Sequence, residues 1–297
     1  MQKLLPAQPA YNRQRLPGWF KRELPGAGSL KTSSYLSGLG VHTVCKEAHC
    51  PNLDECFKAG ELAFMLLGDT CTRSCSFCAV NKSSQPNSLD KDEPERIAQV
   101  VKELGLRYVV LTSVTRDDLE DGGSTTFADT IKAIRRLNQQ ARIEALIPDF
   151  CGKVESLNNV LIAKPDVLAH NLETVKRLYG ELRPQADYCR SLKLLGLVRK
   201  MTKAMVIKSS LMLGLGETKQ EVISAMKDLL ENGCQILTLG QYLAPSSGHY
   251  PVKRFLEPAE FAEYRDIGAS LGFKTVFSGP LIRSSYKAKE AFLGEQN

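Results

Sequence analysis

The sequence predicts an α/β protein built as a partial (β/α)6 barrel with an extension at each end. Three observations point there. Apolar runs of strand length alternate with amphipathic helical stretches along most of the 297 residues. The strand runs are apolar throughout rather than every second residue, as in a parallel sheet covered on both faces. Polar residues gather just after each strand run, where the βα loops of a barrel share one mouth. An open doubly wound sheet is the other closure that such units allow.

Residues 1–60 read as an irregular, cysteine-bearing segment, and the alternation begins after it. "LAFMLLG" (62–68) is a buried strand. "EPERIAQVVKEL" (93–104) places Ile97, Val100, Val101 and Leu104 on one helical stripe. "RYVVLTSV" (107–114) is the second strand, 124–140 a helix, "RIEALIP" (142–148) the third strand and 153–163 a helix. "PDVLAHN" (165–171) is the fourth strand, followed by a helix over 186–202, and "AMVIKSSLMLG" (204–214) is the fifth. The helix over 218–233 ends at Gly233, a residue suited to the left-handed turn after a helix. "QILTLGQYL" (235–243) is the sixth strand, 257–272 a helix and "KTVFSG" (274–279) a short final strand. Three parts are therefore expected: 1–60, a barrel over 61–272, and a C-terminal extension over 273–297. The lone "GLGET" at Gly214–Thr218 lies too late in the chain for a dinucleotide-binding fingerprint.

Composition narrows the function. No apolar run approaches the ~18 residues of a membrane span. A net charge of +6 comes without interleaved basic and aromatic residues, so nucleic acid is not an expected partner. The first 22 residues carry no acidic side chain, which reads as a basic N-terminal arm. The expected location is cytoplasmic, or organellar were that arm the remnant of a transit peptide. Six of the nine cysteines fall in two tight groups, a pattern for thiolates on metal in a reducing compartment rather than for a secreted disulfide scaffold.

The first group in mechanistic importance is "CTRSCSFC", with Cys71, Cys75 and Cys78 directly after the first strand. Zinc sites usually take four ligands at other spacings. Short thiolate spacings of this kind suit an iron–sulfur cluster. Three thiolates on a four-iron cluster leave one iron open to a substrate. The second group is Cys45, Cys50 and Cys56 in "CKEAHCPNLDEC", again three thiols without a fourth. A zinc knuckle or a passive cluster remains the alternative at this point.

The C-x3-C-x2-C loop with Phe77 before its last cysteine resembles the radical S-adenosylmethionine (SAM) superfamily. The order of "HTVCKEAHCPNLDEC", "LGDTCTRSCSFC", "TSVTRDDLEDGG", "AHNLETV", "MLGLGE", "LTLGQYL" and "GPLIRSSY" resembles the lipoyl synthase family, from about Leu16 to the C-terminus. The resemblance implies a TIM-like partial barrel of the radical SAM type, two 4Fe-4S clusters and SAM. It implies that Cys71, Cys75 and Cys78 hold the cluster whose open iron binds SAM, which is split to a 5′-deoxyadenosyl radical. It implies that Cys45, Cys50 and Cys56 hold an auxiliary cluster with a serine oxygen as fourth ligand, Ser285 in "RSSY", with Ser284 the other choice. For SAM it implies contacts from Phe77, from Ser113, from Asn171 and Glu173, from the backbone at Gly214 and Gly216, and from Lys208 to the SAM carboxylate.

The activity implied is sulfur insertion at C6 and C8 of an octanoyl chain on a lysine of a carrier domain, with the auxiliary cluster as sulfur donor. The carriers implied are the acyltransferase subunit of 2-oxoacid dehydrogenases and the glycine-cleavage H protein. Ferredoxin or flavodoxin is the expected reductant, and a monomer the expected state. Other sulfur-inserting radical enzymes and a non-enzymatic electron carrier are the competing readings; a carrier has little use for a large barrel and would want four thiolates per cluster. Two places depart from the family: "FKAGELAFMLLGD" has less threonine than is usual, and Thr115 stands where an acidic or small residue is common. Cys151, Cys189 and Cys234 are expected to be buried packing residues. His170 is expected at the site, His42 and His49 beside the auxiliary cysteines, and Trp19 between the N-terminal arm and the barrel. Arg199, Lys200 and Lys203 form a basic patch where an acidic carrier would dock.

Overall fold

A computed structural model describes residues 15–21, 34–36, 38–47, 50, 52–58 and 61–295. Its centre is a seven-stranded, wholly parallel sheet. In order these strands are β1 (Leu62–Leu66), β4 (Tyr108–Ser113), β5 (Arg142–Leu146), β6 (Val167–Ala169), β7 (Val206–Leu213), β8 (Ile236–Gln241) and β9 (Thr275–Gly279). A two-residue pair, β2 (Thr70–Cys71) and β3 (Asn81–Lys82), stands apart.

The spatial order of the sheet follows the chain order without reversal. A doubly wound sheet reverses at a switch point, so the winding is that of a barrel, left open between β1 and β9. The strand "KTVFSG" of the C-terminal part joins this sheet, with Ile236 to Gly240 of β8 paired to Thr275 to Gly279. The sheet therefore has one strand more than the six strand–helix units.

The outer helices are α3 (Glu93–Glu103), α4 (Ser124–Leu137), α5 (Val154–Ile162), α7 (Tyr188–Met201), α8 (Lys219–Glu231) and α9 (Pro258–Leu271), with the one-turn α6 (Tyr179–Leu182) between β6 and α7. Local chemistry sets their ends. Thr218 and Glu221 form a reciprocal capping box at the start of α8. Pro258 opens α9 and Gly272 closes it in the left-handed conformation. Among the described residues no helix is long and apolar enough to cross a membrane.

Both faces of the sheet are buried, for different purposes. Val109 and Leu111 of β4 join the main core under the helices, with Phe64, Phe127 and Ile131. The alternate residues Tyr108 and Val110 join Val167, Val206 and Ile236 in a second cluster inside the barrel. That inner cluster also takes Cys45 and the C-terminal helix α10 (Ala288–Glu295), through Ala288, Ala291 and Phe292. The two short helices α1 (Val44–Glu47) and α2 (Leu53–Lys58) precede β1. The Met65 amide donates to the His42 carbonyl at 2.9 Å, which binds the N-terminal segment to that strand.

Several expectations are corrected. Cys234 is buried, but Cys151 and Cys189 are exposed. Cys151 lies in a tight turn with φ 52°, and Cys189 on the first turn of α7, neither position facing a core. Trp19 is 41% exposed; it is Phe20 that packs inward, 5.6 Å from the Phe255 ring. Arg199 hydrogen-bonds the Lys203 and Gly233 carbonyls and the Gln235 amide oxygen of its own fold. His49 and residues 1–14 lie outside the described residues.

Candidate metal centres and active site

Strand β1 stops earlier than its apolar run because Leu67 and Gly68 both take positive φ, 70° and 84°, and turn the chain. The pairing of β2 with β3 then closes a loop that carries Cys71, Cys75 and Cys78 at the C-terminal end of the barrel. This loop is stitched to its neighbours at nearly every residue. The Thr72 amide and hydroxyl both donate to the Thr115 carbonyl, at 2.9 and 3.0 Å. The Ser74 amide donates to Gln185 and the Ser76 amide to the Leu182 carbonyl. From the loop after β8, the Tyr250 amide donates to the Ser76 carbonyl, and His249 Nε2 lies 3.1 Å from the Cys78 carbonyl.

Two backbone amides, of Arg73 and Thr115, point at Cys71 Sγ from 3.4 and 3.3 Å. Amides aimed at sulfur are how proteins support cluster thiolates. Burial raises the Cys75 thiol and pushes Cys78 up to about 11, so without a metal to displace the proton both stay as thiols. Among the described residues no three His, Cys, Asp or Glu side chains could hold a single metal ion. The donor set, three half-buried cysteines on one loop, is that of a multi-iron cluster, whose thiolates bind different irons.

Buried polar atoms without partners mark the space beside this loop: Ser113 Oγ, Asn171 Oδ1 and Arg183 Nε. Such orphans are rare in native interiors and point to a ligand. Asn171 donates to Glu173 Oε1 at 3.0 Å, and burial raises the Glu173 carboxyl against the pull of Arg183. Glu173 sits at φ 69°, a strained conformation held by its bridge to Leu211 on β7. Phe77 packs on the edge of the main core. At Gly214 a Cβ would fall 2.1 Å from Gln241 Nε2 and 2.5 Å from the Arg254 carbonyl, so only glycine fits. Gly216 has φ 104°. The Gly214 and Leu215 amides both donate to Glu217, which shapes this loop from within.

Lys208 is a correction. Its ammonium does not face the mouth; it lies 2.9 and 3.0 Å from the two oxygens of Glu144, and both side chains are 1% exposed. Tyr108 donates to the same carboxylate at 2.8 Å. The alternation of β7 turns Lys208 into the barrel, where only a carboxylate makes a buried ammonium tolerable. His170 is buried with Nδ1 against the Ile147 carbonyl at 2.8 Å and Nε2 unpartnered.

A second candidate site lies where Cys45, Cys56 and Ser285 meet strands β1 and β4. A cavity is lined by Cys45, Cys56 and Ser285, together with Glu61, Leu62, Ala63, Tyr108, Val110 and Ala288. Neither Ser284 nor Cys50 is among these residues. Two hydrogen bonds clamp the segments that bring them together. Asn52 donates to the Leu281 carbonyl at 2.6 Å across 229 residues, and Tyr286 donates to Glu55 at 2.6 Å across 231. Burial pushes the Cys45 thiol up to about 12 and raises Cys50 and Cys56. The Arg283 guanidinium lies near Cys50 and favours its thiolate. His42 pairs with Glu47 at 3.6 Å rather than with a cysteine.

Sequence reading missed four side chains: Arg73, Glu144, Arg183 and His249. Arg73 lies inside the cysteine motif and was open to notice. Glu144 and Arg183 carry no local mark, because their roles exist only after strands far apart in sequence adjoin.

Comparison with known proteins agrees with this geometry. The Radical SAM superfamily model matches residues 65–229. Proteins called lipoyl synthase match along nearly the whole chain. The one from Caldicellulosiruptor saccharolyticus is 50% identical over 275 residues, 92% of this chain and 96% of its own. The one from Rubrobacter xylanophilus is 47% identical, over 96% of this chain and 89% of its own. The one from Thermus thermophilus is 48% identical, over 98% and 90%. Among solved structures, HydG, a maturase of the FeFe-hydrogenase, superposes with TM-score 0.57 at 17% identity over 90% of this chain and 66% of its own. Methylornithine synthase gives 0.54 at 15% identity over 76% and 75%.

An open parallel barrel with a three-cysteine loop after its first strand thus defines a radical SAM enzyme, which uses SAM and a 4Fe-4S cluster. The lipoyl synthase matches extend over 92% to 98% of the chain. The protein belongs to the lipoyl synthase family.

Proposed function

We propose that this chain inserts two sulfur atoms, at C6 and C8, into an octanoyl chain carried on the lysine of a lipoyl carrier domain. The observation that carries this reading is the cavity shared by Cys45, Cys56 and Ser285, residues from opposite ends of the chain. A radical enzyme with one cluster needs the first cysteine triplet alone; cysteines of the second triplet gathered beside a serine from the far end of the chain support a second cluster. In this reading 1–60 supplies the auxiliary cysteines, 61–272 the radical SAM barrel and 273–297 both the last strand and Ser285.

Cys71, Cys75 and Cys78 would hold the cluster that binds SAM, and Cys45, Cys50, Cys56 and Ser285 the auxiliary one. When bound, the first cluster with SAM supplies a hydrogen-abstracting radical and the second supplies sulfur. The chain's own residues position and shield. Ser113, Asn171, Glu173 and Arg183 present polar atoms to SAM, Arg183 taking the carboxylate in place of Lys208. The backbone at Gly214 and Gly216 allows close approach of the adenosine. Phe77 backs the cysteine loop. Val110, Val167, Val206 and Ile236 line the barrel interior and keep water from a radical. An alkoxide from Ser285 is a harder ligand than thiolate, which suits a cluster that gives up its sulfur.

Octanoylated domains of 2-oxoacid dehydrogenases or of the glycine-cleavage system are the substrates of this reading. A ferredoxin or flavodoxin is the electron donor, the state a monomer and the location cytoplasmic; all nine cysteines are free of disulfides, in keeping with a reducing compartment. The test is anaerobic iron and sulfide analysis with an octanoyl-lysine peptide as substrate. Wild type should hold about eight irons and the Cys45/Cys50/Cys56→Ala variant about four. That variant should still cleave SAM to 5′-deoxyadenosine but form no lipoyl product. Lipoyl product from the variant, or a single cluster in wild type, would overturn the reading.

A further inference from the structure

The cysteine loop of the first site is held by an ion cage that neither the activity nor the cluster explains. Arg73, between Cys71 and Cys75, has a side chain only 3% exposed. Its guanidinium makes a two-pronged bond to Asp117, Nε to Oδ2 at 2.6 Å and Nη2 to Oδ1 at 2.9 Å. The same Nη2 reaches Asp149 Oδ1 at 2.6 Å. Asp149 has a wholly buried side chain, and its other oxygen accepts from Arg190 Nε at 2.8 Å. Cys151 completes the ring: its amide donates to Asp149 at 3.1 Å and its thiol to Asp117 at 3.2 Å. The cage thus joins the cysteine loop to the ends of β4 and β5 and to α7.

Two cations and two carboxylates balance, so the cage costs no net buried charge. A planar fork that serves two carboxylates at once has one orientation, which the point charge of a lysine cannot reproduce. Fixing the Arg73 side chain also fixes its backbone. The Arg73 amide is one of the two aimed at Cys71 Sγ, and the Asp117 amide donates to the Thr72 hydroxyl at 3.0 Å.

We propose that Arg73 is a positioning residue. Held by Asp117 and Asp149, it sets Cys71 and Cys75 in cluster-binding geometry before iron arrives, and keeps an amide on the Cys71 sulfur afterwards. The inference rests on the reading that Cys71, Cys75 and Cys78 hold the first cluster.

The test uses the full chain with Cys45, Cys50 and Cys56 changed to Ala, so that only the first triplet can bind iron. Iron release to a chelator is followed anaerobically in this parent and with Arg73→Gln, Arg73→Lys or Asp149→Asn added. Arg73→Gln should release iron about tenfold faster, the usual scale for loss of an outer-shell partner, and Arg73→Lys should restore little. The near-ultraviolet circular dichroism should be unchanged. In iron-free protein, Cys71 and Cys75 should alkylate faster in Arg73→Gln than in the parent. Parental release rates in both Arg73→Gln and Asp149→Asn overturn the proposal. So does faster release that comes only with loss of the dichroism, since the cage would then serve the fold alone. Should Arg73→Gln not fold, Asp149→Asn, which keeps side-chain size, decides. A parent holding no iron would overturn the assignment of the triplet instead, and the alkylation rates would still read the cage.

Discussion

Ser284 and Ser285 are adjacent and chemically identical, yet only Ser285 lines the cavity with Cys45 and Cys56. Ser285→Ala should therefore lower auxiliary iron measured anaerobically, while Ser284→Ala should keep the wild-type content; the reverse result would exchange their roles. His170 gives a pH prediction. Burial, and Arg183 beside it, lower its imidazole from 6.5 to about 4. Between these values the unfolded chain binds the proton and the folded chain does not, so stability falls as pH drops from about 6.5 to about 4. The full effect is about 3 kcal/mol. His170→Gln should be less acid-sensitive than wild type in urea titrations at pH 7 and pH 5. Lys208→Met leaves Glu144 buried without its cation and should cost about 3 to 5 kcal/mol in unfolding free energy. Adding Glu144→Gln should recover much of that loss, and equal stability of single and double variants would count against the pair.

Most elements were legible because each depends on residues near in sequence. The run 62–68 and the stripe Ile97–Val101–Leu104 needed only periodicity. Their ends were less legible: Leu67 takes a positive φ that no leucine prefers, held there by the hydrogen bond its amide donates to Glu93 Oε2 at 2.9 Å. The fit between β8 and the C-terminal segment is an element-scale feature with a sharp test. A Cβ on Gly240 would stand 2.0 Å from the Ile282 carbonyl, a backbone atom that would have to shift. Gly240→Ala should displace the segment carrying Ser285, lowering auxiliary iron while SAM cleavage persists. Unchanged iron in that variant would show that the segment docks elsewhere.

For the whole molecule, the C-terminal segment packs into the open barrel rather than trailing from it. Helix α10 places Phe292 6.1 Å from the Tyr108 ring and buries Ala288 and Ala291 in the inner cluster. Removal of 280–297 should expose that cluster to solvent, lower the melting temperature and cut iron by about half; a truncated chain with full iron would separate the two ends functionally. What the sequence by itself determined was the alternation of strand and helix, both cysteine triplets and the serine pair, since each is written in spacings of a few residues. What only the tertiary structure decided was which serine lines the cavity with Cys45 and Cys56, that Lys208 serves Glu144, and that Arg73 and Arg183 stand beside the cysteine loop. Those outcomes rest on contacts between segments tens to hundreds of residues apart, and local spacing holds no record of which distant side chains the closing of a barrel will bring face to face.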